Sequence, residues 1–196
     1  GLIDQNFVDY MDACIQCRGC ETACPAGVPF GSMMETTREA LAEQTSYQPW
    51  WRRWGYRVLG WPNILAVGSK ALAVLQKLKL LPPKLALPKI PLMQAPLVPS
   101  GEDVWLFTGC VMDAWMRDTH RATQRVIEAA GAGVSFPDKK AACCGALHVH
   151  AGLREEARRL ARRTIGAFPG EAPILVDSAG CGAQLKEYGD LLNTPD

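Results

Sequence analysis

The sequence predicts an α+β protein in two dissimilar halves, a helical module carrying a tight cysteine motif and then an α/β unit built on a parallel sheet. Three observations lead there. Four cysteines crowd into residues 14–24 ahead of a run of helix formers, prolines punctuate residues 82–99, and strand-like and helix-like signals alternate after residue 101.

In chain order, residues 1–47 form the first unit, where Cys14-x2-Cys17-x2-Cys20-x3-Cys24-Pro25 precedes a predicted helix at 32–41 with Ser32 as its expected cap. Residues 48–100 open on Trp50-Trp51-Arg52-Arg53-Trp54, pass through a helical pattern at 71–81, and end in a linker holding Pro82, Pro83, Pro88, Pro91, Pro96 and Pro99. That composition marks a domain boundary. Residues 101–196 read as a strand at 104–108, a helix over about 112–130, a short strand at 134–136 and a loop with Cys143-Cys144-Gly145. A helix at 153–167, a strand at 174–177 and a helix starting after Cys181 follow. Such an order predicts parallel strands with helices on the sheet faces.

A chain of 196 residues with 48% hydrophobic content fits the soluble globular class. Its eight cysteines come without a signal peptide, and the longest uncharged run of the middle segment, 58–69, falls short of the roughly 20 apolar residues that span a bilayer. These features argue against a secreted disulfide scaffold and predict a cytoplasmic protein whose thiolates are free to bind metal. The net charge of +1 hides an asymmetry: no acidic residue lies between Glu43 and Glu102, where eight basic ones do, leaving 13 basic residues against 20 acidic ones elsewhere. Such a block suits nucleic acid, an anionic membrane surface or an acidic partner. Gly1 in place of a starting Met, with a motif under way by Cys14, predicts a piece of a longer protein.

The spacing of Cys14, Cys17, Cys20 and Cys24 is that by which ferredoxin-type modules hold [4Fe–4S] clusters. Thiolates two residues apart wrap one face of a cubane, backbone N–H groups turn toward its sulfides, and Pro25 steers the chain away. In two-cluster modules the fourth cysteine of a run serves the other cluster. Cys14, Cys17 and Cys20 would then serve one cluster and Cys24 a second; alternatively all four serve one. Buried free thiols and a zinc knuckle compete with both.

The second set, Cys110, Cys143, Cys144 and Cys181, is scattered, yet its members follow predicted strands or precede a predicted helix. The topology predicts that all four gather at the carboxyl edge of one parallel sheet, where Gly109, Gly145, Gly180 and Gly182 let backbone approach a bulky centre. Four small side chains filling a core are the plain alternative.

Together, Cys14-Ile-Gln-Cys17-Arg-Gly-Cys20-Glu-Thr-Ala-Cys24-Pro-Ala-Gly-Val, Gly109-Cys110-Val-Met-Asp, Cys143-Cys144-Gly145-Ala146-Leu147-His148 and Ala179-Gly180-Cys181-Gly182-Ala183-Gln184 resemble glycolate oxidase iron–sulfur subunits. More broadly they resemble proteins with the cysteine-rich CCG domain, among them heterodisulfide reductase and lactate-utilisation subunits. The resemblance implies a two-cluster, ferredoxin-like [4Fe–4S] module followed by CCG domains, with this chain holding the second motif and the first CCG domain. It implies an electron-transfer subunit, in which a FAD-binding oxidase subunit takes two electrons from a 2-hydroxy acid such as glycolate and iron–sulfur clusters relay them singly to a quinone or another acceptor. All eight cysteines are metal candidates, with one or two clusters on the first set and a further cluster or zinc on the second. A catalytic CCG site and a zinc-stabilised interaction module are the alternatives. In one departure, Gln184 stands where the broader CCG pattern places a final cysteine.

His148 and His150 follow the CCG loop and are expected as supporting or surface groups, while His120, between Arg117 and Arg121, is expected to face solvent. Four of the six tryptophans lie at 50–61 beside Arg52, Arg53 and Arg57. Two readings follow: peripheral docking on the inner face of the cell membrane or on an acidic partner, through Arg52, Arg53 and Trp54 with no acid to oppose it, or a helix packed between the cysteine units. Nucleic acid is not expected, because no recognition motif accompanies the charge. A dinucleotide fingerprint is missing too, since Gly131-Ala132-Gly133 follows a helix, and no catalytic residue is assigned.

Overall fold

The computed structural model describes residues 4–45, 47–138 and 141–193. Helices α1 (Gln5–Ala13), α2 (Gly19–Thr22) and α3 (Phe30–Gln44) surround the first motif. Asp4 opens α1 by accepting the Phe7 N–H at 2.8 Å, satisfying one donor that a helix start leaves free. α3 begins ahead of the predicted point. Pro29 is its N-cap, proline's restricted φ suiting a helix entry, and Ser32 lies inside the first turn, where its hydroxyl donates to the Pro29 carbonyl at 3.1 Å instead of capping. Leu41, Ala42 and Tyr47 make the local core with Phe7, Val8 and Met11.

Next come α4 (Trp50–Leu59) and α5 (Pro62–Lys77), bent by 103° from one another. α5 starts well before the predicted 71–81, because a helix apolar on nearly every side shows no clear 3.6-residue period. The sheet contains β1 (Val104–Phe107), β2 (Val134–Ser135) and β3 (Ile174–Val176), parallel and in the order β2-β1-β3. Trp105 is its hub, aligned with Ser135 on one side and Ile174 on the other.

α6 (Val111–Trp115) and α7 (Arg117–Ala129) link β1 to β2, α8 (Ala146–His150) and α9 (Arg154–Ile165) link β2 to β3, and α10 (Ala179–Lys186) and α11 (Tyr188–Leu192) follow. The predicted helix at 112–130 is thus two, broken at Met116 (φ −131°, ψ 32°), with Asp113 and Arg117 paired at 2.7 Å across the break. Alternation along β1 sends Leu106 to Ile127 and Val134 on one face and Phe107 to Cys144 and Ala146 on the other. The observed architecture is α+β with a small parallel sheet.

The proline-rich stretch, with a 3-10 turn at Pro83–Leu85, is anchored along its length. Gln76 donates to the Pro88 carbonyl and accepts the Ile90 N–H, both at 3.0 Å, and Gln94 donates to the Ala114 carbonyl at 3.2 Å. α5 is fixed to the same side by Trp115 Nε1, which donates to buried Ser69 at 2.8 Å. The two halves touch directly where α3 meets α8. There the buried Arg38 guanidinium donates to the His150 carbonyl at 2.7 Å, to the Met11 carbonyl at 3.1 Å, and to the Cys14 carbonyl. Gly152, at φ +73°, approaches so closely that a Cβ would stand 2.2 Å from the Arg38 carbonyl oxygen.

Candidate metal centres

Each member of the scattered set sits at a chain turn that topology dictates. Cys110 leaves β1 after Gly109 (φ +66°) and caps α6; Cys143 and Cys144 precede Gly145 (φ +87°) and α8; Cys181 lies in the first turn of α10, just past β3. The helix expected after Cys181 therefore starts two residues before it, at Ala179. Cys144 and Cys181 place their sulfurs 3.3 Å apart, and Cys110 hydrogen-bonds Cys143. The four thus meet at one sheet edge as two contacting pairs.

The pairs are electrostatically polarised. The bond from Cys144 pulls the Cys181 thiol down to about 7, helped by the Ser178 hydroxyl, and the bond from Cys143 lowers the Cys110 thiol from its ordinary value, with help from the Val111 N–H. Cys143 and Cys144, which keep the shared protons and are buried, are pushed up. Tyr188 closes the floor, its hydroxyl donating to the Cys144 carbonyl at 2.8 Å. Gln184 is itself buried, in α10.

The first set lies on one loop. Cys14 caps the end of α1, Gln16 (φ 53°) and Arg18 (φ 59°) take left-handed turns, Cys20 lies in α2 just after its first residue, and Cys24 follows that helix. Cys17 and Cys20 are exposed. Backbone N–H groups of Val28, Ala26 and Gly27 converge on the Cys24 sulfur and lower its thiol from the usual range, and the Gln16 N–H reaches Cys14 Sγ at 3.4 Å. Among the described residues no three His, Cys, Asp or Glu side chains already stand as a metal cage. What fits a thiophilic metal is the donor set: four clustered sulfurs, and four on a loop whose amides face sulfur.

A cleft of 830 Å³ is lined by the first motif loop, α3 and α10, with Cys17, Arg18, Phe30, Glu35, His150 and Gly180 in its wall. Burial raises the pKa of Glu35 and lowers that of His150 there, and the buried Gln16 amide beside them has no partner among the described residues. His148 is buried 6.1 Å from the Tyr56 ring, its pKa likewise lowered by burial.

Two expectations are corrected. His120 does not face solvent; it is wholly buried, with Nδ1 2.6 Å from Asp177 Oδ2, which also accepts the Thr123 hydroxyl at 3.2 Å. Nor is the basic block unopposed. Arg52 pairs at two points with Asp12, both 3.1 Å, and Arg57 reaches Glu156 at 3.5 Å, so acids distant in sequence neutralise them while Arg53 stays exposed.

Compared with known families, residues 104–186 match the model of the CCG cysteine-rich domain. That match takes in all three strands of the sheet half. Cys110, Cys143, Cys144 and Cys181 all lie inside the match. The chain is 29% identical to the probable glycolate oxidase iron–sulfur subunit of Bacillus subtilis, over 96% of its own length and 50% of that protein. It is 31% identical to the glycolate oxidase iron–sulfur subunit of Escherichia coli, over 94% of this chain and 47% of that one. A fumarate reductase (CoM/CoB) subunit of Methanothermobacter marburgensis is 36% identical over 49% of this chain and 20% of its own. The chain spans about half the length of the two glycolate oxidase relatives. No solved structure matches it.

Proposed function

We propose that this chain is an electron-relaying iron–sulfur portion of a glycolate-oxidase-like complex, in which a FAD-binding partner subunit oxidises a 2-hydroxy acid and a quinone or another acceptor takes the electrons. The convergence of Cys110, Cys143, Cys144 and Cys181 from three strand–helix junctions, in a chain that also holds the ferredoxin-type run, carries this reading. The two long relatives, both named for the iron–sulfur subunit of glycolate oxidase, point the same way. Residues 1–47 are read as half of a ferredoxin-like module whose Cys14, Cys17, Cys20 and Cys24 hold [4Fe–4S] iron, and residues 101–196 as the CCG unit whose four cysteines hold a further cluster. Bound there, iron–sulfur groups supply one-electron steps.

The chain's own residues prepare both places. Amides of Val28, Ala26 and Gly27 favour Cys24 as thiolate. Arg18 pairs with Glu21 at 2.8 Å and with Glu187 at the entry to α11, tying the motif loop to the CCG half. Burial of Cys143 and Cys144 keeps water from that edge and lowers the local dielectric, which are levers on the potential of a bound group.

Anaerobic purification, with iron, acid-labile sulfide and zinc analysis and EPR of the reduced protein, tests the reading. Iron with matching sulfide and two separable signals is expected, one lost in Cys17→Ser and the other in Cys181→Ser. Zinc in place of iron overturns it and leaves an interaction module.

A further inference from the structure

We infer that the outer face of α5, with the tryptophans of α4 and a lysine rim, is a docking surface for an anionic lipid bilayer, on which the protein lies without crossing. α5 buries Ser69 and Ala73 against the rest of the chain. On the opposite side Ile64, Val67, Val74, Leu75 and Leu78 are exposed, Val67 to 70%, and their spacing places them in one stripe. That stripe runs about 21 Å at 1.5 Å per residue. A helix apolar on both faces normally has both covered, and an apolar patch this long is uncommon on a free surface.

The chemistry around the stripe selects lipid. Trp50, Trp51 and Trp54 of α4, with Trp61 at the bend, are all exposed, Trp50 to 75%, and indole rings favour the headgroup boundary. Arg53, Lys70, Lys77 and Lys79 are exposed beside them, and no acidic residue occurs from 44 to 101. Arg52 and Arg57 do not belong to the surface, being held by Asp12 and Glu156. A second copy seated on the same face would set these cations against their own equivalents with no acid from the segment between them, which disfavours self-association there. No single described helix is long and apolar enough to cross a membrane, and α4 with α5 reaches the needed length only as a pair bent by 103°. An exposed apolar stripe on α5, with exposed indoles and cations on the same α4–α5 segment, suits adsorption at the boundary of a bilayer carrying negative charge.

The inference is independent of the iron–sulfur reading, and its readout is binding rather than activity. The purified full chain is floated with vesicles of phosphatidylcholine alone and of phosphatidylcholine mixed with phosphatidylglycerol, with tryptophan emission followed in parallel. Flotation with the anionic vesicles only, weakened by added salt and accompanied by a blue shift, is expected. Lys70→Glu with Lys77→Glu should weaken binding by at least about thirtyfold, and Val67→Asp with Val74→Asp should abolish it while circular dichroism stays unchanged. Leu78→Asp, at the helix end, gives the same reading should the double aspartate variant unfold. Equal flotation on neutral and anionic vesicles overturns the inference, as does binding untouched by the aspartates. So does self-association, seen in sedimentation without flotation and lost in those variants, which assigns the face to a second copy. Wild-type protein that floats with neither vesicle overturns it as well, and leaves an acidic protein partner as the occupant.

Discussion

Replacing Arg38 with alanine should loosen the junction between the two halves. Its side chain is 6% exposed and donates to the carbonyls of Met11, Cys14 and His150, two from the first cysteine region and one from the end of α8. A hydrogen bond to a charged group is worth about 1.5–3 kcal/mol, and a buried acceptor left without a donor costs about 1–3 kcal/mol. Water reaches half-buried Met11, and removing the guanidinium relieves its own desolvation, so the three contacts together should leave a net loss of about 3–4 kcal/mol. That is a large share of the roughly 5–15 kcal/mol holding a typical domain together. Arg38→Lys should fall between, because one ammonium cannot reproduce a planar fork serving three carbonyls. Anaerobic urea titration followed by circular dichroism and tryptophan emission measures both variants. An alanine variant within about 0.5 kcal/mol of the parent, or a lysine variant as stable as the parent, refutes the reasoning.

Two further substitutions probe the same packing. Gly152→Ala places a methyl 2.2 Å from the Arg38 carbonyl oxygen at φ +73° and should lower the thermal midpoint by several degrees, whereas Gly27→Ala, at φ +62° with nothing within 4 Å of its new Cβ, should cost only about 1 kcal/mol; equal effects would show that the close contact is not felt. His120→Phe strands a buried Asp177 with Thr123 alone and should cost about 3 kcal/mol. Asp177→Ala in the same background should then add little, a coupling that a double-mutant cycle in urea reads directly; strictly additive losses would mean the pair does not act together.

The gathering of Cys110, Cys143, Cys144 and Cys181 was legible because strand ends and loops are signalled by local residue patterns, and a parallel topology maps such ends to one edge. Long-range charge was not. Asp12 lies 40 residues from Arg52 and Glu156 lies 99 from Arg57, so a count of acids along the middle segment could not see them. α5 was half hidden for the opposite reason, since a helix apolar all round erases its own period. Buried polar residues did leave a trace. His120 shares a helix face with Thr123 and Ile127 at i, i+3 and i+7, and Arg38 sits among Met34, Leu41 and Ala42 at core spacing. A polar residue in an apolar stripe signals a buried partner, but not which distant group supplies it.

That distinction also explains how a proline-rich boundary in sequence coexists with close contact in space. The stretch at 82–99 joins the halves covalently, yet Gln76, Gln94 and the Gln124 side chain, which donates to the Val98 carbonyl at 2.9 Å, bind it down where it passes, and Ile90 is buried. A connection held at so many points adds little freedom, but it carries no contact between the first cysteine loop and the CCG half. That contact belongs to α3 and α8, through a guanidinium on the Cys14 and His150 carbonyls and a glycine pressed on the Arg38 backbone, and to the Arg18–Glu187 pair. The relative placement of the two sulfur sets therefore rests on a few side chains remote from the linker. Substitutions within 82–99 should leave that placement intact, where a single change at Arg38 or Gly152 disturbs it.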